Sequence, residues 1–174
     1  MIIVGIDPGS QTTGFGVLSL DRDKIKHLEH GTFELSETLL PRRLLQLSEQ
    51  LDQLLKRFSA DIVALERIFV GKNVDSAFKL GHARGVCMLS AARAGCTLVE
   101  YAAREVKKGI TGSGAAEKEQ VAILVKAQLE IPREIVLKLD ATDALGIALH
   151  HALRLQSEKK LSRLDENLTV RKSL

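Results

Sequence analysis

IIVGIDPGSQTTGFGVL, residues 2–18, opens as an apolar, β-branched run that ends in Asp7. It then turns through Pro8, Gly9 and Ser10 and restarts as Gly14-Phe15-Gly16-Val17-Leu18. A short apolar run closed by turn residues reads as a fully buried strand. The restart reads as its hairpin partner. A carboxylate at the tip of a buried strand is costly unless something at that tip needs it.

Outward from this hairpin the chain alternates. Residues 25–35 read as a third strand, so the first 35 residues form a meander. Pro41 opens a helix in which Leu44, Leu47, Leu51, Leu54, Leu55 and Phe58 recur at helical spacing. Asp61 to Glu66 is a further strand, and it too ends in a carboxylate. Residues 75–94 read as a helix and Cys96 to Glu100 as a strand. A glycine-rich loop from Gly109 to Gly114 precedes a helix at about 115–129, and a last helix starts near Asp140. From about 155 the sequence is charged and aperiodic and reads as a flexible tail. Strands first, then helices alternating with strands, imply an α/β fold with a mixed sheet flanked by helices on both faces. No repeat or linker divides it, so residues 1–154 read as one domain and 155–174 as its tail.

Composition narrows the class. The chain has 174 residues, 45% hydrophobic and 27% charged, which suffices for one domain with its own core. Cys87 and Cys96 form no CxxC pair and no disulfide framework, which suits a reducing, cytoplasmic setting. No apolar run reaches the ~18 residues of a membrane span, and the N-terminus lacks the basic start of a signal peptide. The net charge of +3 permits a polyanionic partner without requiring one.

In open α/β sheets, ligand sites gather beyond the carboxyl ends of parallel strands. Asp7, Glu66 and Glu100 each close an apolar strand. A second source of acid is LDATDALGIALHHAL, where Asp140 and Asp143 are three apart and share a helix face with Ile147 and His151. Several carboxylates gathered in one crevice repel each other, and burial raises the cost of their charge. A hard cation removes that cost. Mg²⁺ takes oxygen ligands and leaves room for water and substrate phosphate. Two such ions roughly 4 Å apart suit in-line displacement at phosphorus.

Blander explanations exist for each signal taken alone. A D-x-x-D pair at a helix start caps the helix and matches its dipole, worth about 0.5–2 kcal/mol. An Asp before Pro-Gly is a common turn residue. Other motifs fail outright. Gly9 to Gly14 has phosphate-loop spacing, but Phe15 stands where Lys is required and a strand follows where a helix is needed. Gly14-Phe15-Gly16 fails as a dinucleotide fingerprint for the same reason, and no nucleophile elbow is present.

GIDPGSQTTGFGV, ALERIFVGKNVDSAFKLGHARGV, EYAAREVKKGITGSGAAEK and DATDALGIALHH, in that order and spacing, resemble the RuvC Holliday-junction resolvases. The likeness runs from about residue 2 to 153. It implies an RNase H-like fold and a homodimer that nicks two opposed strands of a four-way DNA junction during recombination and repair. It implies a metal site made of Asp7, Glu66, Asp140 and Asp143, with Asp140 the position least fixed in type, and it removes Glu100 from the set. Mg²⁺ is the implied cofactor, with two ions per site and Mn²⁺ as a substitute. A branch-migration complex of the RuvA and RuvB type is the implied further partner.

The same resemblance gives roles to residues that chemistry alone leaves open. Phe69, in the loop after Glu66, would stack on a base near the crossover, worth about 1–3 kcal/mol; a generic Phe would instead be core. Lys107 and Lys118 flank the GITGSGA loop and would contact phosphates, Lys118 from the first turn of a helix; each is otherwise a solvated charge. Ala77, Gly81 and Gly85 recur every four residues. Interior glycines cost a helix about 1 kcal/mol each, so close approach of another backbone is expected there, either the protein's own sheet or, as the resemblance implies, a second subunit. His82, His150 and His151 read as core or surface residues rather than ligands.

Two other functions share parts of this pattern. An actin- or chaperone-type ATPase uses a similar phosphate-binding hairpin, but it needs two such domains and this chain has one such motif. A junction-binding module without activity would gain nothing from an acid quartet, which weakens binding to phosphates.

Overall fold

A computed structural model describes residues 1–67, 74–132 and 134–172 of the chain. Three strands come first, β1 (Ile2–Asp7), β2 (Thr12–Asp21) and β3 (Lys24–Glu34), followed by helix α1 (Leu40–Phe58) and strand β4 (Ile62–Glu66). Helix α2 (Val74–Arg93), strand β5 (Thr97–Tyr101) and helices α3 (Ala103–Thr111), α4 (Lys118–Gln128) and α5 (Leu139–Lys172) complete the order. The five strands form one sheet in the order β3-β2-β1-β4-β5. β1 is antiparallel to β2 and parallel to β4, and β4 is parallel to β5. This is the mixed, RNase H-like sheet expected from the sequence.

Alternation along the strands builds a core on each face. Val4, Ile6, Val17, Val63 and Leu65 face α1 and α2, where Leu47, Leu51, Leu54, Leu55, Ala83, Cys87 and Ala91 close over them. Ile3, Leu18, Ile62, Ala64 and Tyr101 face α3, α4 and α5, against Val106, Ile110, Val121, Val125, Leu145, Ala148 and Leu149. Burial on both faces explains why β1 and β4 are continuous apolar runs.

Helix α5 lies unusually near the sheet, and two glycines allow it. A Cβ on Gly5 would fall 2.1 Å from the Ala144 carbonyl oxygen, and one on Gly14 would fall 2.0 Å from that of Asp140. Those two positions fix how close the first turns of α5 come to β1 and β2.

Three expectations change. Helix α3 occupies chain that the sequence leaves unassigned; it takes in Gly109 and ends at Gly112, whose φ of 80° is left-handed, so only the remainder of the expected loop is loop. The tail expected to be aperiodic from 155 is instead helical, as α5 runs on through Lys172, and the boundary at 154 falls inside that helix. Leu, Glu, Lys and Arg are good helix formers, and Arg154 pairs with Glu158 at 2.9 Å one turn on. A charged, aperiodic sequence here means an exposed helix. Finally, Gly81 and Gly85 do not pack on the protein's own sheet. Both are exposed, and among the described residues nothing beyond the adjoining chain of the helix itself lies within 4 Å of where a Cβ on either would stand. The reason is that α2 turns Ala83, Cys87 and Ala91 inward instead.

Candidate active site

β1 and β4 run in register, Ile6 opposite Leu65, so Asp7 and Glu66 stand side by side at the carboxyl ends of neighbouring parallel strands. Alternation points both toward the α5 side. Their side chains share a hydrogen bond. Asp7 is pushed up to about 8, first by burial, then by that bond to Glu66, then by the charges of Glu66, Asp143 and Asp140. The turn after Asp7 is braced from two sides. Thr13, fully buried, exchanges 3.2 Å hydrogen bonds with Gly9 through its hydroxyl. The Arg43 guanidinium donates to the carbonyls of Ser10, Glu37 and Thr38.

The first turns of α5 supply the other acids. Thr142 is buried and its hydroxyl donates to the Lys138 carbonyl, so the turn presents Asp143 to the crevice. Asp7, Glu66, Asp143, Lys107 and Lys118 line one cavity of about 220 Å³, with Val106, Val121 and Ile147 as its apolar wall. Asp140 stands outside this lining but adds its charge to the field at Asp7. The Lys118 ammonium donates to Asp143 at 2.8 Å, and that carboxylate, with the charges of Asp7 and Glu66, raises the Lys118 pKa. Lys107 donates to the Ala116 carbonyl at 2.8 Å and so ties the end of α3 to the start of α4.

Among the described residues, no three His, Cys, Asp or Glu side chains stand close enough together to chelate an ion. Asp7 and Glu66 hydrogen-bond to each other, and the Asp143 carboxylate accepts from the Lys118 ammonium. The donor set is nonetheless all oxygen, and burial first, then the neighbouring acids, raise the Asp7 pKa. That chemistry fits a hard divalent cation, which would replace the proton and the ammonium as counter-charge.

Of the residues singled out from sequence, Asp7, Glu66, Asp143, Lys107 and Lys118 meet in one crevice, with Asp140 at its margin. Phe69 lies outside the described residues. Ala77, Gly81 and Gly85 belong to α2, on the opposite face of the sheet. Glu100 points to that same face and forms an ion pair with Arg84. His150 and His151 are buried; His151 bonds the Tyr101 hydroxyl at 2.6 Å, and His150 meets the Tyr101 ring edge-on. Sequence reasoning misses the wall residue Val106 and the brace Arg43. The i, i+4 pair Val106 and Ile110 carries the signal for the first; Arg43 has none, since its partners are backbone carbonyls.

A crevice of acids at parallel strand ends, rimmed by lysines and set on this sheet order, defines a nuclease of the RNase H-like class. The family model for the crossover junction endodeoxyribonuclease RuvC matches residues 3–151. The chain is 42% identical over 164 residues to the crossover junction endodeoxyribonuclease RuvC of Bdellovibrio bacteriovorus, covering 94% of this chain and 96% of that one. It superposes on Thermus thermophilus RuvC with a TM-score of 0.82 at 30% identity, covering 91% of this chain and 97% of that one. It matches T. thermophilus RuvC in complex with a Holliday junction substrate with a TM-score of 0.83, again at 30% identity, over 91% and 96% of the two chains. The chain belongs to the RuvC family of endodeoxyribonucleases, enzymes that hydrolyse DNA phosphodiester bonds.

Proposed function

We propose that this protein resolves four-way DNA junctions by paired nicks, with Asp7, Glu66, Asp140 and Asp143 as the acid set that holds divalent metal. The observation that carries the reading is the cluster itself: the hydrogen-bonded Asp7–Glu66 pair facing Asp143 across a cavity that two lysines also line.

The chemistry is hydrolysis. Water oxygen bonds to phosphorus as the bond from phosphorus to the 3′-oxygen breaks, leaving a 5′-phosphate and, once the leaving oxygen takes a proton, a 3′-hydroxyl. Mg²⁺, or Mn²⁺ in its place, supplies acidified water and positive charge at the leaving oxygen when bound. The chain's own residues prepare that step. Asp7 and Glu66, fixed by strand ends, set one wall, and Asp143 enters from a helix that Gly5 and Gly14 admit close against the sheet. Lys107 and Lys118 draw the phosphate backbone in, which places the DNA without reading its sequence. Phe69 stacks on a base near the crossover.

Two copies give two equivalent sites related by a two-fold axis, which matches the approximate symmetry of an open junction. The exposed face of α2 supports that assembly: Phe78 and Leu89 lie open to solvent at 65% and 57% exposure, on the helix that exposes Gly81 and Gly85. A branch-migration complex of the RuvA and RuvB type supplies the junction. No described helix is long and apolar enough to cross a membrane, and free Cys87 and Cys96 support a cytoplasmic location.

The test is incubation with a synthetic four-way junction and Mg²⁺, with linear duplex as control. Two symmetric nicks in the junction and none in the duplex are expected. Asp143→Asn, which keeps the shape and loses the charge, should bind the junction and fail to cut it. A variant that cuts at the wild-type rate overturns the metal assignment.

A further inference from the structure

Lys118 is the first residue of α4. A cation at that position opposes the helix dipole, whose free N–H groups favour an anion. Its ammonium is instead held by Asp143 at 2.8 Å, and the side chain remains 59% exposed, free to swing outward. Lys107, its neighbour in the cavity, donates to a backbone carbonyl rather than to an acid. Asp143 therefore already has a resident cation, attached to a long and exposed arm, at the place where a divalent ion would sit.

Resting on the acid-set reading above, we infer that the Lys118–Asp143 ion pair is a latch that couples metal loading to DNA. In the closed state the ammonium occupies the Asp143 oxygen and competes with metal. A backbone phosphate arriving at the N-terminus of α4 takes the ammonium for itself, and Asp143 is released. Metal, by neutralising Asp143, likewise releases Lys118 to phosphate. Both ligands favour the same open arrangement of Lys118, so each must tighten the binding of the other by the same factor. The latch keeps the site poorly loaded on bare protein and fills it when a phosphate backbone is in place.

Lys118→Met keeps the stem and removes the charge. Calorimetric titration of the DNA-free protein with Ca²⁺ or Mg²⁺ should show about two- to fivefold tighter binding in this variant, the range that loss of one competing ion pair allows. Lys107→Ala, which breaks no carboxylate contact, should show a much smaller gain. In the second arm, fluorescence anisotropy at constant ionic strength gives junction affinity with and without Ca²⁺. Wild type should gain more from Ca²⁺ than Lys118→Met does. Equal or weaker metal affinity in Lys118→Met, or an equal Ca²⁺ gain in both proteins, overturns the latch and leaves the acid set standing. A wild type that takes up no divalent ion, even with junction present, removes the acid-set reading and the latch together.

Discussion

Gly14 lies directly under the Asp140 carbonyl, so close that a Cβ on Gly14 would come within 2.0 Å of that oxygen. Gly14 is also the β2 partner of Asp7 in the antiparallel ladder. One missing side chain thus helps set the separation between two acids that are 133 residues apart in sequence.

Gly14→Ala must push the first turn of α5 off the sheet. The clash is with backbone, which cannot rotate away as a side chain can. A loss of about 1–3 kcal/mol in stability is expected, the usual range for overpacking a tight interface, together with a fall in junction cleavage of more than tenfold. Denaturant unfolding and cleavage assays check both. A variant with wild-type stability and rate would mean that α5 yields freely and that its close seating does not matter to the site.

Asp7 gives the metal-free protein a distinctive response to pH. Its folded carboxyl is raised to about 8, while in the unfolded chain it ionises near the usual carboxylate value. Between about pH 4 and 8 the folded state holds a proton that the unfolded state has lost. Stability from this group is therefore full at low pH and declines as pH rises through that window. Asp7→Asn cannot ionise, so its melting temperature should exceed that of wild type at about pH 8 in chelator, with the gap closing toward about pH 5. Mg²⁺ should shrink the gap by stabilising wild type, and the variant should not cleave. A pH-independent difference between the two proteins would assign the effect to packing.

Lys107→Ala should weaken junction binding and flatten its salt dependence by about one charge. The same change frees the Ala116 carbonyl, so thermal melting must accompany the titration. Weaker binding with an unchanged salt slope would show that Lys107 acts by holding the start of α4 and not by meeting phosphate.

Gly81→Leu adds bulk to an exposed face of α2 without touching the protein's own core, where Ala83, Cys87 and Ala91 pack. Monomeric stability should change by less than about 0.5 kcal/mol. Sedimentation should shift toward monomer, and the junction should receive single nicks in place of paired ones. A dimer that still nicks in pairs places the subunit contact on another surface.

Most of the strands and helices are legible in the sequence because each of them obeys one period. β1 and β4 are continuous apolar runs because both faces are covered, and α1 carries its leucines on one stripe. The acids are legible as strand-end and helix-start positions, but their convergence is not. It depends on β1 and β4 being neighbours in the sheet and on Gly5 and Gly14 admitting α5, and neither follows from local spacing. The Lys118–Asp143 pair is hidden for the same reason, since 25 residues separate its members. Helix α3 escapes a local reading because Gly109 and Gly112 suggest loop, although Gly109 is helical and Gly112 is the cap. Beyond 155, charge without period suits a disordered tail and an exposed helix alike, because the same residue types favour both.

The sheet order also bears on how the crevice assembles. β1 lies between β2 and β4 inside the sheet, yet the helix turn that brings Asp143 to it stands 136 residues further along the chain. The crevice therefore closes through contacts of high sequence separation, whose loop-closure entropy must be met before any contact repays it. Such contacts slow folding, so the acids meet only when the whole fold does.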